Sequence, residues 1–198
     1  KFDFHYDLFK LNLDNVDSLR LRVEGTELDE FGKKNQIKVK TVIENVIGNI
    51  LIDHPNNKSG RKPLAQYPIF NSEKNSYAYY QRASILNNVY KRDQFYFQLD
   101  PYVVDSLDNF KNEGLVFKGT FVSAGILTDL REELRLQDDY SLGFKRHTGE
   151  GGMPVYGGKG LFTNTIQLSH RGLRGDGEID YITTKAKSDD FIFFPDSV

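Results

Sequence analysis

Two groups of side chains in this sequence are of the kinds that bind sugars or do chemistry. The first is aromatic: Tyr77, Tyr79, Tyr80, Tyr90, Phe95, Tyr96 and Phe97 crowd into 21 positions. Exposed tyrosine rows stack on sugar rings, although a chain without Trp lacks the most effective platform for that contact. Alternation sends Phe95 and Phe97 to one side of an extended segment and Tyr96 to the other, so at least half of the group belongs in a core. Tyr77, Tyr79 and Tyr80 are the candidate ligand-binding aromatics. The second group is acidic: on a strand, Asp176, Glu178 and Asp180 share one face at about 6–7 Å spacing. Two carboxyls roughly 5–10 Å apart are what a glycosidase requires, and hard cations such as calcium take the same oxygens. Ile179 and Tyr181 occupy the opposite face, so a plain solvated acidic face accounts for the pattern equally well. Further acids stand in pairs at Glu132–Glu133 and Asp138–Asp139.

Other chemistries lack their minimal parts. Without cysteine there is no disulfide framework, thiolate zinc site, Fe–S cluster or Cys nucleophile. His5, His54, His147 and His170 do not have metal-ligand spacing. His54 beside Asp53, and His170 after Ser169, are conceivable acid–base pairs, but isolated loop histidines are far commoner. No serine sits in a Gly-x-Ser-x-Gly elbow. The glycine-rich stretch from Gly149 to Gly160 does not match a Walker loop, because Met153 stands where its first glycine is needed and Gly160 follows Lys159. Arg174-Gly175-Asp176 spells the tripeptide read by integrins, yet Asp176-Gly177 is first of all a turn signal. No residue is assigned a catalytic role, and no cofactor or metal is expected.

The elements that would position these side chains are strands. Spacings of two recur in Phe2/Phe4/Tyr6, Leu19/Leu21/Val23 (ahead of a turn signal at Glu24-Gly25), Ile37/Val39, Tyr77/Tyr79 and Phe95/Phe97, the signature of half-buried extended backbone. Glycine stands just before an apolar alternating run at Gly48, Gly119, Gly160 and Gly177, where a bulge, bend or close backbone approach is expected. Gly114-Leu115 and Gly172-Leu173 precede two of these by five residues, which suggests related strand–turn–strand units without a strict repeat. Residues 40–47 fit both templates: Val39, Val42, Ile43, Val46 and Ile47 have helical spacing, while their β-branching favours a strand, the reading adopted. Short helical turns are expected at Asp105–Phe110 and at Thr128–Leu134, although Leu134 and Leu136 also alternate. Residues 53–60 and 148–160 read as loops, and the poorly periodic stretch 55–76 as an excursion or joint.

The 198 residues suit one domain and, at 38% hydrophobic with 15 Phe and 11 Tyr, can bury a core. A formal charge of −2 gives no basic footprint for nucleic acid. No apolar run approaches the roughly 20 residues of a membrane-spanning helix, and there is no signal-peptide core. The start at Lys1 without Met and the apolar run Phe191–Phe194 suggest a segment of a larger protein whose sheet continues beyond it. The absence of cysteine favours an exported bacterial protein.

The glycine-led strands, the segments Gly114-Leu115 to Phe121 and Gly172-Leu173 to Tyr181, the run from Asp53 to Gly60 and the stretch from Ser188 to Asp196 resemble the β-rich parts of very large cell-envelope proteins of Bacteroidetes-type bacteria. More distantly they resemble the AsmA/TamB-like proteins, whose long β structure offers a groove for lipid. The resemblance implies a cell-envelope or extracellular location and brings no catalytic residues. The expectation is a mainly β fold, an antiparallel sandwich or a short layered, solenoid-like sheet stack with one or two short helices. The expected role is non-catalytic: a structural or interaction segment whose partners are the remainder of its parent chain and an envelope component or glycan. The alternatives are a carbohydrate-binding or glycan-cleaving module, and a lipid-groove segment. The structural reading predicts an exposed sheet edge near either terminus.

Overall fold

A computed structural model describes residues 2–28, 30–107 and 112–195. Its strands are β1 (Phe2–His5), β2 (Lys10–Leu19), β3 (Arg22–Leu28), β4 (Lys34–Lys38), β5 (Ile43–Leu51), β6 (Ile69–Ser72), β7 (Ser76–Tyr79), β8 (Phe95–Leu99), β9 (Val103–Val104), β10 (Val116–Ser123), β11 (Leu130–Leu136), β12 (Leu142–His147), β13 (Met153–Val155), β14 (Gly160–Ser169), β15 (Gly172–Tyr181) and β16 (Thr184–Ile192). Helical structure among the described residues is confined to three-residue 3-10 turns at Pro55–Asn57, Leu86–Asn88 and Asn112–Gly114. The fold is mainly β and antiparallel, as the period-two pattern predicts.

Fourteen strands form one sheet: eleven run in the order β1-β2-β5-β7-β8-β10-β11-β12-β14-β15-β16, β6, β9 and β13 pair off this path, and β3–β4 form a separate hairpin. The order rises steadily with sequence, so the sheet is a meander whose two outermost strands are β1 and β16. Strands β6 and β7 follow one another along the same side of β5; β9 pairs with β6 and β8 with β7. One face of the sheet carries the core. Phe95, Phe97 and Leu99 of β8, Phe117 and Phe121 of β10, Leu134 of β11, Phe144 of β12, Phe162 and Ile166 of β14 and Ile179 of β15 are all buried there. Each such side chain contributes about 1.5–3 kcal/mol on removal from water. Val23 of the hairpin joins the same cluster, and half-buried Ile37 packs against it.

Connections fold over this face and tie distant strands together. Tyr90, between β7 and β8, stacks on Phe95 with ring centroids 3.8 Å apart. Its hydroxyl donates to the Phe193 carbonyl at 2.8 Å and accepts from the Leu173 amide at 3.1 Å. Burial pushes its pKa up to about 12. The Thr41 hydroxyl accepts from the Leu142 amide at 2.9 Å, and the Tyr80 hydroxyl donates to the Leu142 carbonyl at 3.2 Å.

Several local expectations change in the fold. Residues 43–47 are strand, in line with their β-branching, while 40–42 form the approach to it. Thr128–Leu134 is not helical: β11 starts at Leu130, because pairing with β10 buries Leu134. Gly25 lies inside β3, not at a turn. The expected turn at Asp105–Phe110 lies partly outside the described residues. Residues 69–72 of the supposed excursion are β6, paired to β5. Phe2 and Phe4 are extended but not half-buried, at 74% and 46% exposed, and Tyr6, 65% exposed, lies in the turn that follows β1. The apolar end finds partners within the chain, since Phe191 and Phe193 pack edge-on to Phe162.

Glycine is required where backbones approach. A Cβ on Gly119 would stand 2.0 Å from the Gln98 carbonyl oxygen and 2.5 Å from the Phe97 ring. Gly177, at φ +153°, sits at a register shift between β15 and β16, and its Cβ would meet the Thr163 carbonyl at 1.9 Å.

Candidate functional site

The predicted tyrosine and acidic groups both stand on the outer face of the sheet, but far apart. Pairing of β7 with β8 sets Tyr77 opposite Gln98 and Tyr79 opposite Tyr96. The Tyr77 and Tyr79 rings lie nearly parallel, at 13° and 5.8 Å between centroids, and Tyr96 meets Tyr77 edge-on at 5.8 Å. The Arg92 guanidinium covers Tyr79 at 3.8 Å and is held by Glu44 at 2.6 Å. Partial burial, opposed by this arginine, raises the Tyr79 pKa. Gln98 donates to the Tyr77 hydroxyl at 3.4 Å. Beside Tyr79, an open hollow of ≈ 590 Å³ is bounded by Gln81, Lys91, Arg92 and Asp93. Such an arrangement can stack on a flat apolar ring face and supply polar donors at its rim.

Tyr80 does not share this row. It points into the core, edge-on to Phe95 at 5.9 Å, and burial drives its hydroxyl pKa far upward. The cause is local: β7 ends at Tyr79, so strict alternation puts Tyr80 on the inner side. Of the remaining cluster, Tyr96, Gln98, Arg92 and Glu44 complete the outer patch. Tyr96 is legible from its place between two core phenylalanines, whereas Arg92 and Glu44 are 48 positions apart and meet through sheet pairing alone.

Asp176, Glu178 and Asp180 do share one face of β15, as the alternation predicts, with Gly175, Gly177 and Ile179 turned inward. They are not free carboxylates arrayed across a cleft. The hairpin register sets Asp180 opposite Lys185 and Glu178 opposite Lys187. Lys185 bridges Glu178 at 2.8 Å and Asp180 at 3.3 Å, and these acids raise the lysine pKa through hydrogen bonds and charge. Asp176 faces the shift in β16, beside Asp189 and Asp190, in a polar groove of ≈ 380 Å³ that also includes Lys145, Arg171 and Arg174. Asp190 holds Arg174 at 2.5 Å and Arg171 at 3.1 Å, and these partners keep its carboxyl below the usual carboxylate range. From β7 to β15 is six strand spacings, about 29 Å along the sheet, so tyrosines and acids do not form one site.

The other candidates are structural. Arg174-Gly175-Asp176 lies within a ten-residue strand, not at a turn, because Gly175 is buried and Arg174 is engaged by Asp190. Asp53 accepts the His54 amide at 2.6 Å, and the His54 Nδ1 accepts the Asn56 amide at 3.2 Å, so the pair caps a 3-10 turn. Glu132 is paired with Arg146 and Glu133 with Arg135, each at 2.5 Å. The Ser141 hydroxyl, fully buried, donates to Asp139 at 2.5 Å and accepts the His170 amide at 2.9 Å. That grouping of Ser, Asp and His is joined through backbone and not through the imidazole, and burial followed by the Lys40 charge holds the His170 pKa low. Among the described residues no three of His, Cys, Asp and Glu converge as a metal-binding group, and no helix is long and apolar enough to cross a membrane. The inner face, where a lipid groove would run, is filled by Phe95, Phe97, Phe121, Phe144 and Phe162.

The class defined by these features is an open antiparallel meander with a filled inner face and a polar, ion-paired outer face. Comparison with protein-family models, with curated proteins and with solved structures finds no match for the chain.

Proposed function

We propose that the chain is a non-catalytic structural or interaction segment of a larger exported bacterial envelope protein, joined to its surroundings through the edge of its sheet. The observation that supports this reading is β1. It is an outermost strand with no strand on its far side among the described residues, and it carries a solvent-exposed aromatic row. Unpaired strand edges accept further strands, and proteins that do not use them blunt them. Hydrogen exchange tests the reading. Amides of Phe2–His5 should exchange more slowly in the intact parent protein than in the 198-residue chain held at a concentration where it is monomeric; equal rates would remove the support.

A second reading, carbohydrate binding, is favoured by the Tyr77–Tyr79–Tyr96 patch. Its test is a glycan array probed with the wild type and with Tyr77→Ala and Tyr96→Ala. Binding lost in both variants but retained in Asp176→Asn would favour this reading. A hit abolished by Asp176→Asn would instead bring the acidic strand back as part of a sugar site.

A further inference from the structure

We infer that β1 pairs with β1 of a second copy of this chain, antiparallel and in one register, with Phe4 opposite Phe4. The inference rests on the reading of this sheet edge as a joining surface and names its partner. β1 runs Phe2-Asp3-Phe4-His5, and Tyr6 follows it into the turn, where the Tyr6 carbonyl accepts the Phe9 amide at 3.1 Å. Its inner neighbour is β2, with Phe2 opposite Leu13 and Phe4 opposite Leu11, and among the described residues no strand lies on its other side. Phe2, Phe4 and Tyr6 form one exposed row, braced by edge-on contacts of Phe4 with Tyr6 and Phe9 at 6.4 and 6.2 Å. Asp3 and His5 occupy the opposite face and already meet each other at 3.1 Å while remaining about half exposed.

The sequence is complementary to itself in the proposed register. With Phe4 on the two-fold axis, Asp3 stands opposite His5 of the second copy, and the whole of the pairing lies within β1 (Phe2–His5). The two Phe4 rings then meet at the joint, and both acid–histidine positions are matched. Sliding by two residues in one direction or the other sets Asp3 against Asp3, or His5 against His5. Sliding by one places aromatic residues opposite Asp3 or His5 on both faces. Side-chain alternation and charge therefore select a single register. A two-fold pair of this kind is closed, using the same patch on both copies.

The chain has no cysteine, so introduced thiols report the register directly. Phe4→Cys should oxidise to a covalent dimer and Phe2→Cys alone should not, whereas a mixture of Asp3→Cys and His5→Cys chains should cross-link to each other. In sedimentation velocity the wild type should show a concentration-dependent dimer. Phe4→Lys apposes two like charges on the axis and should weaken it at least about ten-fold, with circular dichroism confirming that the variant is folded. A wild type that stays monomeric to roughly millimolar concentration, the weak limit of measurable association, overturns the inference. So does cross-linking of Phe2→Cys as fast as Phe4→Cys, or a monomer that binds vesicles of phosphatidylcholine and phosphatidylglycerol through the same aromatics. If the chain is monomeric yet its β1 amides are protected in the parent protein, self-pairing falls and the structural reading stands. Unprotected β1 amides in the parent would sink that reading separately.

Discussion

The two margins of the sheet are built on opposite terms. At one, β1 is four residues long, lies over no buried partner, and shows aromatic rings to water. At the other, β14, β15 and β16 are nine or ten residues each, their inner faces meet around Phe162, and their outer faces are laced by Lys185, Arg171 and Arg174 to Glu178, Asp180 and Asp190. β16 also carries charged Lys185, Lys187, Asp189 and Asp190 and a register shift, the usual devices that discourage a further strand. The contrast teaches that an open edge is not uniform in its chemistry: one margin is defended and the other is inviting.

Substitutions can break or sharpen this comparison. The largest effect is expected at the packed margin. Phe162→Ala removes the ring on which Phe191 and Phe193 both lie, and should cost about 3–5 kcal/mol in chemical denaturation. A cost comparable to that of an exposed site would mean that this margin is no better packed than β1. In the middle of the sheet, Gly119→Val should destabilise by more than ~1 kcal/mol, since its Cβ meets the Gln98 carbonyl; an unchanged melting temperature would contradict the close approach. Next in size is Asp190→Asn, which removes the carboxylate shared by Arg171 and Arg174. These partners depress the folded-state pKa of Asp190, so its contribution is complete above the ordinary carboxylate value of 3.8 and is lost as pH falls below it. Because Asp190 and Arg171 are half-exposed or more, although Arg174 is mostly covered, the loss at neutral pH should be about 1 kcal/mol or less. The gap between the melting temperatures of variant and wild type should narrow progressively as pH falls below that ordinary value. The smallest stability effect is expected for Phe4→Ser at β1, within about 0.5 kcal/mol, and its visible consequence should be greater solubility.

The parts of this molecule legible in the sequence are those where local pattern and tertiary pairing agree. Phe95-Tyr96-Phe97 alternates, and the sheet buries both phenylalanines while leaving the tyrosine outside. Asp176, Glu178 and Asp180 share a face for the same reason. Alternation states which residues lie on one side but not whether anything covers that side, so Phe2 and Phe4 look like core in sequence and stand in water in the fold. Turn chemistry also yields to pairing. Asp176-Gly177 is a turn signal in isolation, yet ten consecutive pairs with β14 hold it extended. The tyrosine patch was half visible, because its aromatic members are neighbours in sequence while Arg92 and Glu44 reach it from separate elements. The lysine clamp on the acids follows from the Ile182–Thr183 hairpin once its register is known, and from nothing shorter in range.

The Tyr90 hydroxyl has a mechanical consequence. It grips the Phe193 carbonyl and the Leu173 amide, and the Phe193 amide donates to the Leu173 carbonyl at 3.1 Å. Tension drawn through Phe193 would therefore load a latch anchored in the middle of the molecule before any rung of β16 peels away.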